Sequence, residues 1–466
     1  MAARGSTTNG RLLVVLSVVA AALSSLSLAA SSAPPRSQEP REALEAVRAG
    51  YYLAADARLR SLADLDASLY THLYYYAIPV HPVRRTLLLP ADPAQVRLLA
   101  TFCRTVKAKN PAVKTLLSVG TVGGAAAAAG SRSDPAFAAM AADPASRAAF
   151  VDATVALARE NSFDGLDVAW RFPASAVEMA EFGFLVAEWR ATVSPGFLLT
   201  ATVYFSNHVF DAPFAGVDYP SEAIVRNLDW VNVMAFGLRP VSANVTAFDA
   251  PLYDRASHYS ASYGVVSWLD AGVPASKVVM GLPLYGRSWF LRNKANNGVG
   301  APAVAVGPKQ RGSNTTGAMS YAEVQGLASA STSRAVITAY DNASVASYVS
   351  VGDVWVAFDG VAVVAEKLAF AAHRGLLGYF LWPVNYDDDN LTVSRRASQA
   401  WTQSKSSPDL RNITGARQAQ APVQLPPALQ SPAPIAPTSA SFSWLSWRTL
   451  DVRLHLGALT LVCYQL

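Results

Sequence analysis

At 466 residues, 52% hydrophobic and 15% charged, the chain carries enough apolar material for one large core or two ordinary ones, which excludes a disordered or fibrous polypeptide. The formal charge of +5 resides at the two ends: Arg4 and Arg11 lie in residues 1–33, and Lys405, Arg411, Arg417, Arg448 and Arg453 outnumber Asp409 and Asp451 beyond Trp401. The neutral middle gives no electrostatic footprint for a nucleic-acid partner. Two cysteines, Cys103 and Cys463, exclude a disulfide framework, so the core must stand on packing.

In chain order, Leu12 to Ala30 is an uncharged run behind Arg4 and Arg11 that ends in the small residues Leu28-Ala29-Ala30-Ser31-Ser32-Ala33. That is the pattern of a cleaved secretory signal, placed at residues 1–33. The alternative, a membrane anchor, has nearly the spanning length but is diluted by serine and alanine. Five Asn-x-Ser/Thr sites, at Asn244, Asn314, Asn342, Asn390 and Asn412, agree with export and predict glycosylation. The expectation is a secreted, extracellular protein without a stable membrane span once the signal is removed.

From about Ala49 to Trp401 short apolar runs alternate with longer amphipathic stretches, the pattern of βαβ units, and the barrel domain is placed at residues 34–404. Strands are predicted at Gly50–Leu53, Thr71–Ile78, Val113–Val119, Gly165–Trp170, Phe197–Tyr204, Trp230–Phe236, Lys277–Leu282 and Leu377–Trp382. Helices are predicted at Pro93–Asn110, Ser146–Asn161, Ala174–Val193, Ser260–Ala271 and Ala362–Arg374. Cys103 falls within the first of these helices and reads as a buried thiol. Eight such units imply an α/β fold, a (β/α)8 TIM barrel. An open doubly wound sheet would carry a Gly-rich phosphate loop after its first strand, and Gly50-Tyr51-Tyr52 is followed by none.

The rhythm breaks at residues 291–357, read as a small α+β insertion after strand 7 that includes β-rich pieces at Ala335–Tyr340 and Val354–Phe358. The run Gly123 to Gly130 lacks the lysine and Ser/Thr of a phosphate loop and reads as a flexible rim. Residues 405–443, rich in Ser, Pro, Gln and Ala, predict a disordered linker. Residues 444–466 form a short hydrophobic tail, of which only Leu456 to Leu466 is uncharged, too short to span a bilayer. The six histidines are scattered, so no metal site and no cofactor is expected.

The chemistry concentrates in Asp164-Gly165-Leu166-Asp167-Val168-Ala169-Trp170-Arg171. On an extended strand Asp167, Ala169 and Arg171 share one face, and its C-terminal end is where barrels of this type assemble their sites. The stretch resembles the DGxDxDxE strand of glycoside hydrolase family 18, most closely the plant class V chitinases. Thr71-His72-Leu73, Lys114 to Gly120, Leu228 to Ala235, Gly281 to Arg287, Gly378 to Trp382 and Ala397 to Trp401 resemble further segments of that family. Asp164, Gly165 and Asp167 match. Ala169 stands where the family has an aspartate and Arg171 where it has the proton-donating glutamate. The family's Met-x-Tyr-Asp continues here as Met234-Ala235-Phe236-Gly237, losing a hydroxyl and a carboxylate.

In that family the substrate's own acetamido group is the nucleophile, an exception to the two-carboxylate scheme. The protein must supply a proton, worth roughly 10² to 10⁴ in rate. A guanidinium with a pKa above about 12 is no such donor. The resemblance therefore implies a barrel without an intact catalytic set that binds chitin or related N-acetylglucosamine glycans. Trp382 would be the leading stacking residue, and Tyr51, Met234, Phe236, Tyr285 and Arg287 would line the same cleft. Two other readings stay open: a protein-interaction, inhibitor or receptor-ectodomain role, and an active chitinase in which Asp167 or Asp387 has taken over.

Overall fold

The computed structural model describes residues 46–120, 134–209, 216–239, 244–309, 315–329 and 336–406. The expected signal, the Gly123–Gly130 rim, Asn314, Asn412 and the linker and tail beyond Ser406 lie outside the described residues.

Eight parallel strands close into a barrel: β1 (Val47–Leu53), β2 (His72–Ile78), β3 (Lys114–Gly120), β4 (Gly165–Ala169), β5 (Leu198–Val203), β6 (Trp230–Val233), β7 (Val278–Pro283) and β8 (Gly378–Trp382). Each strand pairs with its neighbours in sequence, and β1 closes on β8 with Val47 opposite Gly378. Gly378 is required there, since a Cβ would fall 1.8 Å from the Val47 carbonyl oxygen. The strands are buried on both faces, as a sheet wrapped by helices demands.

The helices follow from local signals. Asp92 precedes Pro93, and its carboxylate accepts the Gln95 N–H (3.2 Å) to open α1 (Pro93–Lys109). Leu99, Phe102, Cys103 and Val106 recur at helical spacing and form its buried face, while Lys107 and Lys109 complement its C-terminal dipole. The same Asp-Pro opening starts α2 (Pro135–Ala142) and α3 (Pro144–Glu160), so α3 begins two residues before the expected Ser146. In α4 (Ala176–Thr192) Ser175 caps the Glu178 N–H and the Glu178 carboxylate reaches back to the Ala174 N–H.

The insertion differs from expectation at its start. Leu284 alone separates β7 from the antiparallel strand Tyr285–Leu291, so the second sheet begins at Tyr285 rather than Leu291. Its strand order is Ala303–Val306, Tyr285–Leu291, Val354–Phe358, Ala346–Val351, Val336–Asp341, with Ala318–Ser320 pairing to Tyr285–Leu291. A helix, Tyr321–Ser329, packs on it, and Trp289, Trp355 and Phe248 anchor a separate core. After β8 a helix, Thr392–Ser406, sets Trp401 against Tyr379 of that strand (5.8 Å between ring centroids) and runs past the expected boundary at residue 404. No helix among the described residues is long and apolar enough to cross a membrane.

Candidate functional site

Strand register builds an inner polar layer around Asp167. Ser118 on β3 and Thr200 on β5 are its direct neighbours across the sheet. Ser118 Oγ (2.8 Å), Thr202 Oγ1 (3.0 Å) and the Tyr51 hydroxyl (3.2 Å) donate to Oδ2, and Thr200 Oγ1 (2.7 Å) donates to Oδ1. Asn232 Nδ2 lies 3.5 Å from Oδ1 and donates to the hydroxyls of Tyr51 (2.7 Å) and Tyr74 (3.2 Å), whose rings stack at 4.2 Å. A carboxylate has about four acceptor sites, so these donors saturate it. Burial pushes the Asp167 carboxyl up, and the hydroxyl donors offset only part of that. Burial, and then the Asp167 charge, likewise raises the phenols of Tyr51 and Tyr74, which stay protonated.

Above this layer lies the mouth at the strands' C-terminal ends. The Arg171 guanidinium, two residues beyond β4, sits over the rings of Trp382 (5.6 Å to the centroid) and Tyr76 (5.7 Å). Tyr76 contacts Trp382 edge-on at 4.6 Å, Tyr51 lies at 5.2 Å, and Phe236 is roughly parallel to it at 6.2 Å. Trp382 is 0% exposed and Arg171 2%. The Trp382 indole N–H has no hydrogen-bond partner among the described residues. Phe236 also packs on Phe380 (5.9 Å) and Tyr285 (6.2 Å), and both phenylalanines crowd Gly281, where a Cβ would meet their rings at 2.5 and 2.6 Å.

Beside the mouth, Asp249 gathers Tyr285, Arg287 and Gly237. The Tyr285 hydroxyl (3.0 Å) and the Gly237 N–H (3.1 Å) donate to Oδ2, and Arg287 Nε (3.1 Å) donates to Oδ1. Gly237 holds φ +65, a conformation that glycine adopts without strain. A carboxylate therefore does stand next to position 237, but it comes from another loop and is held by a buried cation.

The expected site residues separate into groups. Tyr51, Phe236, Tyr285 and Trp382 meet through ring contacts, Arg287 joins through Asp249, and Met234 is buried in the same core. Ala169 is fully buried at the end of β4. Asp164 is elsewhere: it lies at the opposite, N-terminal end of β4, where Lys107 Nζ (2.9 Å) and the Thr115 N–H (2.7 Å) hold it. Burial raises its carboxyl, but those partners bring it below the ordinary range. Asp387 is a helix cap that accepts the N–H groups of Val393 (3.2 Å) and Ser394 (2.8 Å) and the Ser394 hydroxyl (2.6 Å). Neither Asp167 nor Asp387 presents an open carboxyl at the mouth. Residues the sequence did not single out are Tyr76, Asp249 and the Ser118, Thr200, Thr202 and Asn232 donors. The donors could have been found, since they occupy inward-facing positions on strands flanking Asp167.

Residues 47–387, from the start of β1 through β8, match the Glycosyl hydrolases family 18. The chain belongs to glycosyl hydrolase family 18. It is 36% identical over 367 residues to a class V chitinase of Arabidopsis thaliana, covering 76% of this chain and 89% of that one. A mutant class V chitinase of Nicotiana tobaccum in complex with NAG4 has a similar structure, with a TM-score of 0.68, 34% identity, and coverage of 77% of this chain and 99% of that one. The chitinase-like agglutinin RobpsCRA of Robinia pseudoacacia is also similar, with a TM-score of 0.64, 35% identity, and coverage of 76% and 100%. In this family 18 barrel the inner acceptor layer is in place, and the mouth above it is apolar and cationic.

Proposed function

We propose that the protein is a secreted family 18 barrel that binds N-acetylglucosamine-containing glycans without cleaving them. The observation that carries this reading is Arg171, whose guanidinium lies on the Trp382 ring at the position where the family motif has its proton donor. Loss of a general acid removes roughly 10² to 10⁴ in rate. A fixed cation about 5 Å from a developing positive charge opposes it by about 3 kcal/mol at an effective dielectric near 20. Ala169, Phe236 and Gly237 offer no side-chain polar atom to orient or stabilise an acetamido cation. The likeness to a chitinase-like agglutinin and to a chitinase complexed with NAG4 supports retention of binding.

The burial of Trp382 favours a second reading, in which the barrel meets a protein partner as an inhibitor or receptor ectodomain and the old sugar floor is closed. Calorimetric titration with chitotetraose separates the two. Saturable binding that weakens on Trp382→Phe supports the glycan reading, and no heat at millimolar ligand removes it.

A further inference from the structure

Three of the five Asn-x-Ser/Thr sites fall within the described residues, and all three asparagines are exposed. Their hydroxyl residues, which the acceptor motif requires, stand in different surroundings. Thr246 is buried and donates to the Gly298 carbonyl (2.8 Å), and Thr392 donates to Asp388 Oδ2 (2.7 Å). Ser344 is half-buried, and its hydroxyl makes no hydrogen bond among the described residues. Its backbone is fixed instead: the N–H donates to Asp341 Oδ1 (2.7 Å) and the carbonyl accepts from Leu252 (2.9 Å) and Tyr253 (3.2 Å).

Asn342 opens the hairpin loop closed by the Asp341–Ala346 pair. The strand leading into it, Val336–Asp341, forms one edge of the insertion sheet and pairs only with Ala346–Val351 among the described residues. Val336, Ile337 and Tyr340 are each 38% exposed, and no charge precedes Asp341 on the strand. An edge about 20 Å long whose only charge is at its last residue, and whose first three residues are β-branched and exposed, is a template for pairing with another copy unless something blocks it. The usual devices, a lysine, a proline or a bulge, are missing from this strand.

We propose that Asn342 carries an N-linked glycan that shields the Val336–Asp341 edge from pairing with a second copy of the chain. A branched, strongly hydrated chain fixed at the end of the strand places bulk and water along the edge that carries no strand partner among the described residues, and its attachment point is set by the sequence. This inference rests on the export reading above, and its test keeps the two apart.

The full chain is secreted behind a eukaryotic host leader, so that occupancy is read whether or not residues 1–33 direct export. Peptide mapping should find Asn342 occupied. Enzymatic removal of the glycan from the folded protein should raise the light-scattering mass to about double the monomer value. Asn342→Gln should behave like the stripped protein, and adding Ile337→Lys should return it to a monomer. A bare Asn342, or a stripped protein that keeps its monomer mass, overturns the proposal. Retention in the cell of the chain bearing its own N-terminus would count against export alone.

Discussion

The Asp167 layer and the Arg171 layer are adjacent in one barrel and solve the problem of burying polar groups in opposite ways. Around Asp167, four hydroxyls and an amide meet a single carboxyl, so almost every hydrogen-bonding atom is used. Around Trp382, the contacts are rings, a guanidinium over their faces, and an indole N–H without a hydrogen-bond partner among the described residues. The two layers are chemically separable. The lower one fastens β1, β3, β4, β5 and β6 together through hydrogen bonds that converge on one carboxyl, whereas the upper one is held by ring packing and a cation over the ring faces.

The largest effect that would sharpen the contrast is expected from Trp382→Ala. Removing a fully buried indole from beneath Arg171, Tyr76 and Phe236 should cost about 3–5 kcal/mol in denaturant unfolding. A loss below about 1 kcal/mol would show that the mouth is loosely packed and open to ligand.

Asp167→Asn should give a smaller change that depends on pH. A carboxyl raised by burial contributes stability that is complete below its unfolded pKa and is lost as pH rises through its folded one. The wild type should therefore fall behind the asparagine variant progressively from acidic pH toward neutrality. A constant difference across that range would mean that the carboxyl titrates normally.

Arg171→Ala should be milder still, about 1 kcal/mol of lost cation–π contact, while chitotetraose affinity rises because one face of Trp382 is uncovered. Affinity that falls instead would make Arg171 a ligand contact and the two layers functionally continuous. The smallest expected effect is none: Arg171→Glu alone should show no hydrolysis, because Ala169, Phe236 and Gly237 remain.

Much of this was legible in the sequence because it depends on local period and spacing. The eight expected strands agree with the barrel strands to within a few residues, and the order of parallel neighbours follows from alternation with helices. Strand β6 ends earlier than expected, at Val233: Met234 still donates its N–H to the Val203 carbonyl on β5 (3.1 Å), but the Ala235 N–H turns back onto the Val233 carbonyl (2.8 Å), and Phe236 is apolar because it packs against Trp382 and Phe380. The second sheet starts at Tyr285 rather than at the expected Leu291 because only Leu284 separates two strands of different sheets, leaving no turn signal to read. Arg171 was visible as a departure from the family pattern, but its seat on Tyr76 and Trp382 depends on side chains from three strands' ends, and no periodicity encodes that. Asp249 lies in an irregular segment, and its grip on Arg287 and Tyr285 is likewise a product of tertiary packing.

A barrel with a permanent cation where the family motif has its proton donor is proposed not to cleave glycosidic bonds by the family's route. The most direct test is mass-spectrometric product analysis of chitotetraose incubated with the purified chain between pH 4 and 8. Intact tetramer is expected at every pH, with cleavage no higher than in buffer alone. Shorter oligomers that accumulate in proportion to protein, and vanish when Asp167 is replaced by asparagine, would contradict it.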